Sequence, residues 1–202
     1  MTAAKPHLLG ALLLSLLLSA CGSTPQSDYY RLSATGTGGS ADAPSLGIGP
    51  VTIPEYLDRN SLVFARGDNQ LRIASYQRWA EPLGEGVTRV LGLNLASALD
   101  TQNVRPFPWA ASDRPAYAVQ VWLLALDASA ERTTLVAEWR LHDPARQREI
   151  VRRMGRYEDS GSDDGATLAA TYSRLLQRLS DDIAAAVRAD TAAAHSGETA
   201  AR

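Results

Sequence analysis

The sequence predicts a single α/β domain, a mixed β-sheet packed by two long amphipathic helices. Two observations carry that reading. Leu83, Val87, Leu91, Leu95 and Ala98 recur at helical spacing, as do Leu168, Tyr172, Leu175, Leu179, Ile183 and Val187, so each segment has one apolar stripe. Before and between them lie short runs rich in Val, Ile, Leu and aromatic residues, bounded by Gly, Pro, Asp and Asn, which read as strands.

The N-terminus precedes the domain and has its own logic. Lys5 gives a short positive region, and Leu8 to Leu18 is apolar apart from Gly10 and Ser15. That stretch has the length of a signal-peptide core and falls short of the roughly 20 residues needed to span a bilayer. It ends in Leu18-Ser19-Ala20-Cys21, a lipobox. Residues 1–20 are therefore expected to be a cleaved signal, with Cys21 the lipid-carrying first residue of the mature protein. Cysteine arithmetic agrees: Cys21 is the only cysteine, so no internal disulfide exists and acylation accounts for the thiol. Residue 22 is Gly rather than the Asp that retains such proteins in the inner membrane. The expected location is the periplasmic face of the outer membrane, held by two or three acyl chains.

Residues 21–27 read as a tether, and 28–188 as the domain. Tyr29 to Leu32 makes a first strand, and the Gly/Ser-rich stretch 34–45 a flexible loop. Leu46 to Ile53 makes a second strand, closed by Pro54. Leu62 to Arg66 and Leu71 to Tyr76 form a hairpin around Gly67-Asp68-Asn69-Gln70. Pro82 opens the first helix, where its missing N–H costs nothing. Val104 to Trp109 is an extended edge limited by Pro106 and Pro108. Tyr117 to Leu126 is apolar on both faces apart from Gln120, as in a strand covered on both sides. Thr133 to Leu141 alternates cleanly, His142-Asp143-Pro144 turns the chain, and Ile150 to Tyr157 returns. Ser162 or Asp163 caps the second helix. Beyond Ala189 the pattern is lost, and 189–202 is expected to be disordered.

Composition excludes several functions. With 20 basic and 22 acidic residues the chain is nearly neutral, which argues against nucleic-acid binding. Lys5 is the only lysine, so the mature protein has neither a Schiff-base lysine nor a P-loop lysine. Of three histidines, His7 leaves with the signal, His195 lies in the tail, and only His142 remains. No zinc-ligand cluster, GxSxG or HExxH motif is present, so neither an enzyme nor a cofactor beyond the lipid on Cys21 is expected. Glu55, Asp58 and Glu81 are carboxylates near Arg59 and Arg78, which makes structural ion pairs the plainer reading. Arg140, Arg146, Arg148, Arg152, Arg153 and Arg156 fall along one hairpin, with Asp143 and Glu149 as nearby acids. They form either a surface for an acidic partner or a charged guard on an edge strand. Of the tryptophans, Trp122 and Trp139 read as core.

Three segments resemble a known family. Tyr29-Tyr30-Arg31-Leu32, Val51 to Arg59 (VTIPEYLDR) and Arg78 to Leu83 (RWAEPL) ahead of a helix are similar to the ABC-transport auxiliary lipoproteins, which include the PqiC- and YmbA-type proteins. The strand ending in Leu126-Asp127 and the segment Val136 to Leu141 also fit. The resemblance implies a fold related to anticodon-binding-like α/β sandwiches. It further implies a place beside an MCE-domain protein with its inner-membrane ABC permease and ATPase or a permease-like complex, and a homo-oligomeric ring that docks or caps their lipid tunnel. It brings no catalytic residues. Tyr56, Arg59, Trp79 and Glu81 are the candidates for structural or partner-contact roles. Trp79 and Glu81 are expected to fix the start of the helix, Trp79 by burying its ring and Glu81 by reaching the free N–H groups of the first turn. A rival reading has Trp79 exposed beside Tyr56 to dock a partner.

Overall fold

A computed structural model describes residues 25–36, 40, 43–110 and 112–200. The signal segment, Cys21 and Gly22 lie outside the described residues, as do parts of the 34–45 loop and of the far C-terminus. The elements in chain order are β1 (Asp28–Tyr30), β2 (Leu46–Thr52), a 3-10 turn (Glu55–Leu57), β3 (Ser61–Ala65), β4 (Leu71–Trp79), α1 (Leu83–Ala98), β5 (Val104–Pro106), β6 (Tyr117–Ala128), β7 (Arg132–Asp143), β8 (Arg148–Ser160) and α2 (Gly165–Ala200). The α/β class and both helices are as the periodicity predicts. No helix among the described residues is long and apolar enough to cross a membrane.

The strands form two sheets rather than one: three strands in the order β1-β4-β3, and five in the order β5-β2-β6-β7-β8. Strand length explains the split. β2 pairs with β6 only from Tyr117 to Trp122, so the later half of β6 has no β2 partner on that edge, and β3 packs beside it. β1 runs parallel to β4, while β3 and β4 are the antiparallel hairpin.

Both helices bury their stripes against one face of the five-stranded sheet. Val87, Leu91 and Leu95 of α1, Leu175, Leu179 and Ile183 of α2, and Leu135, Trp139 and Leu141 of β7 share one core. The other face is open. Trp122 lies there, half-buried beneath the Arg152 guanidinium 5.6 Å from its ring, not in the core as its flanking residues predict. β6 thus buries one face only, because no layer of the described residues covers the other and Leu124 stands exposed there. Gly155 of β8 has a local reason: a Cβ would fall 2.5 Å from the Tyr157 hydroxyl, which bends back to donate to Asp182 of α2 at 2.6 Å.

Two helix boundaries differ from expectation. Asp164 caps α2, accepting the Thr167 N–H at 2.8 Å, while Ser162 Oγ accepts the Asp164 N–H one step earlier. Residues 189–200, expected to be disordered, continue α2. Alanine-rich sequence favours helix even without an apolar stripe. Asp190 also has partners, Arg148 at 3.1 Å and the Tyr117 hydroxyl at 3.2 Å.

Candidate functional site

The segments VTIPEYLDR and RWAEPL converge on the end of β6, the first directly through Tyr56 and the second through the ring that Trp79 stacks on, Tyr172. The Tyr56 hydroxyl donates to Asp127 Oδ1 at 2.7 Å and accepts the Leu126 N–H at 3.4 Å. Tyr56 thereby covers the edge that β2 leaves when it ends at Thr52. Burial, then the Asp127 carboxylate, pushes the Tyr56 phenol far above its ordinary value. From the other side Tyr172 of α2 donates its hydroxyl to the Leu126 carbonyl at 2.8 Å. Trp79 stacks on Tyr172, with ring centroids 6.1 Å apart and planes at 26°. Trp79, Tyr172, Leu126-Asp127 and Tyr56 form one continuous node joining both sheets to α2.

Trp79 is buried, at 6% exposure, so on the free subunit it presents no docking surface. Its backbone N–H donates to Asn60 at 2.6 Å, which closes the β3–β4 sheet. Glu81 departs from the expected capping role. No side chain caps the start of α1; Glu81, just ahead of the helix, pairs instead with Arg89 in its second turn. Arg89 also donates to the Leu32 carbonyl at 2.9 Å, tying the segment after β1 to α1. The reason is charge: the guanidinium offers the Glu81 carboxylate a full positive charge, the helix N-terminus only about half of one. Arg59 is exposed, and neither it nor Arg78 forms an ion pair with Glu55, Asp58 or Glu81 among the described residues.

The arginine hairpin is largely neutralised. Arg140 and Arg152 meet Glu149, Arg152 also meets Glu138, Arg146 meets Asp143, Arg148 meets Asp190, and Arg156 meets Glu158. Sequence reading overlooked Glu138, Glu158 and Asp190, which strand register and the α2 extension bring alongside. Arg153 alone of the six has no partner among the described residues. Among the described residues, no three His, Cys, Asp or Glu side chains gather where a metal ion could be held.

A groove of about 1210 Å³ runs between α1 and the β2–β5 edge. Ile48, Val51, Ile53 and Val104 line the sheet side, and Leu93 and Phe107 stand exposed at its rim. On the helix side Gly84, Thr88, Gly92 and Ala96 recur every fourth residue, a row of small side chains next to the buried stripe. No periodicity argument finds this groove, because the row is defined by what it lacks.

Comparison with known proteins settles the family. The profile of the ABC-type transport auxiliary lipoprotein component matches residues 30–184, from β1 through most of α2. The chain belongs to this family. Its similarity to the intermembrane transport lipoprotein PqiC of Escherichia coli K12 is 25% identity over 184 residues, 84% of this chain and 93% of that protein. The PqiC of Shigella flexneri matches to the same extent. Two solved structures share the fold at a TM-score of 0.66: an uncharacterized protein at 22% identity, covering 81% of this chain and 99% of that one, and XCC0632 of Xanthomonas campestris at 13% identity, covering 82% and 99%. The chain is thus a lipoprotein of a transport-auxiliary family, and that family is not a family of enzymes.

Proposed function

We propose that this lipoprotein is a non-enzymatic subunit of an envelope lipid-transport system, held on the periplasmic face of the outer membrane by acyl chains on Cys21. There it docks or caps a complex of an MCE-domain protein with an inner-membrane ABC permease and ATPase, as a homo-oligomeric ring, and needs no cofactor beyond its own lipid. The observation that carries this reading is the family match over residues 30–184 together with the likeness to PqiC. The lipobox ending in Cys21 and the glycine at position 22 support the location.

A second reading makes the protein a stand-alone lipid or small-molecule carrier, and the groove beside α1 favours it. Ligand pockets run to roughly 300–1,000 Å³ with mostly apolar walls. Copurification separates the two. The native lipoprotein, extracted from membranes in mild detergent, is expected to bring down an MCE-domain protein. Stoichiometric lipid bound to it, with no MCE partner, supports the carrier instead. Cys21→Ala is expected to abolish palmitate incorporation and to leave the protein unprocessed or soluble. Persistent labelling in that variant defeats the anchor assignment.

A further inference from the structure

We propose that the three-stranded sheet is the membrane-facing side of the molecule, its exposed surface resting in the headgroup layer of the bilayer that holds the lipid anchor. The proposal rests on the reading of Cys21 as that anchor. Eight large hydrophobic side chains stand exposed among the described residues, and four belong to this sheet: Tyr29 at 65%, Ile73 at 50%, Tyr76 at 48% and Leu71 at 44%. They are not scattered. Leu71 and Ile73 are two apart on β4, hence on one face. The register against β3 then shifts between Ser61 and Val63, which resets the alternation: Ala74 and Trp79 are both buried, Tyr76 is exposed, and Tyr29 lies opposite Arg78, two places on from Tyr76. Two of the four are tyrosines, whose apolar ring and polar tip suit the membrane–water boundary.

The direction of the chain selects this patch over the others. β1 is an edge strand parallel to β4, with Asp28 level with Gln77, so the N-terminal end of β1 points toward the turn at 67–70. Cys21 precedes Asp28 by seven residues, a reach of about 25 Å at full extension. From Gln77 back to Leu71 is about 20 Å along the strand. An anchor at Cys21 therefore reaches the level of Leu71 and Ile73 and little farther. A domain so tethered meets the bilayer at high effective concentration, so even a weak apolar face is held there. Charge has little part in it: Arg66 and Arg78 are matched in number by Asp28 and Asp68, and Arg72 pairs with Asp163. The other exposed apolar residues, Leu93 and Phe107 at the groove and Leu124 and Met154 on the five-stranded sheet, lie away from the anchored strand.

The test uses the full acylated protein in vesicles of phosphatidylethanolamine and phosphatidylcholine. Acylation consumes the Cys21 thiol, so Ile73→Cys and, separately, Met154→Cys each introduce a single labelling site. Both positions are exposed, so neither substitution removes a buried side chain. A fluorophore at 73 is expected to be quenched several-fold more strongly by headgroup-depth spin-labelled lipid than one at 154, with little change at high salt. Equal quenching at the two positions, or stronger quenching at 154, overturns the proposal. Quenching at 73 that rises with protein density in vesicles free of spin label assigns the face to a second copy and also overturns it. Failure of the anchor reading shows separately: unsubstituted protein then takes the fluorophore at Cys21 and does not float with the vesicles.

Discussion

Tyr56 bonds Leu126 and Asp127 of β6 directly, whereas Trp79 acts on Leu126 through its stack on Tyr172, and their substitution should show the difference. Trp79→Ala removes a buried ring stacked on Tyr172. The expected cost is about 3–5 kcal/mol of stability, read by urea unfolding, because the neighbours collapse only partly into the space. Tyr56→Phe keeps the ring and removes only the hydroxyl that meets Asp127, with an expected cost of about 1–2 kcal/mol. Glu81→Ala should cost under about 1 kcal/mol, since its pair with Arg89 is partly exposed to solvent. An order in which Glu81 outweighs Trp79 contradicts the node described above. A Trp79→Ala protein as stable as the wild type, yet unable to bind an MCE partner, revives the docking reading.

At the scale of the elements, the start of α2 is held by a single carboxylate. Asp164 accepts both the backbone N–H and the hydroxyl of Thr167. Asp164→Ala should cost about 1 kcal/mol, and Asp163→Ala close to nothing. Thermal or urea unfolding of the two variants side by side tests the assignment, and equal effects refute it. Sequence reading names Ser162 or Asp163 as the cap, and the cap is the next residue, Asp164. Only Asp164 has the backbone placement from which its side chain reaches the third helical residue. β6 shows the same limit of pattern reading. Its apolar run implies two covered faces, yet a single layer of helices exists, and the outward Trp122 and Leu124 stay partly in water.

Across the whole molecule, acid should destabilise in two steps of the same sign. Burial, then the nearby Arg140 charge, holds His142 below its ordinary pKa. Below about pH 6.5 the unfolded chain therefore binds a proton that the folded chain refuses, so stability falls as pH drops. The second step comes from aspartates. Burial works against ionised Asp143, but hydrogen bonds from the Arg146 N–H and guanidinium and the Ala145 N–H outweigh it and lower its pKa. Asp159 is lowered chiefly by Arg174, and Asp164 by the Thr167 N–H. Their contribution is complete above about pH 4, the unfolded carboxylate range, and is lost as pH falls through their folded values. Urea midpoints across pH 3–8 should show both declines, and His142→Asn should remove only the upper one. A midpoint that rises on acidification rules out this account.

The sequence by itself determined what is local or repeated. Helical stripes, strand alternation in β7, the hairpin turn at 67–70, the signal-like N-terminus and the family segments all depend on residues close in the chain. These properties follow from backbone periodicity and survive any arrangement of the elements. The tertiary structure decided whatever depends on which elements end first and which face is left uncovered. β2 stopping at Thr52 divides the strands into two sheets and leaves the edge that Tyr56 covers. The reach of α2 supplies Asp190 to Arg148. Glu81 turns to Arg89, a full charge that folding brings against it. Pairings of this kind are settled by distance in space, and a single sequence does not encode which distant residues arrive together.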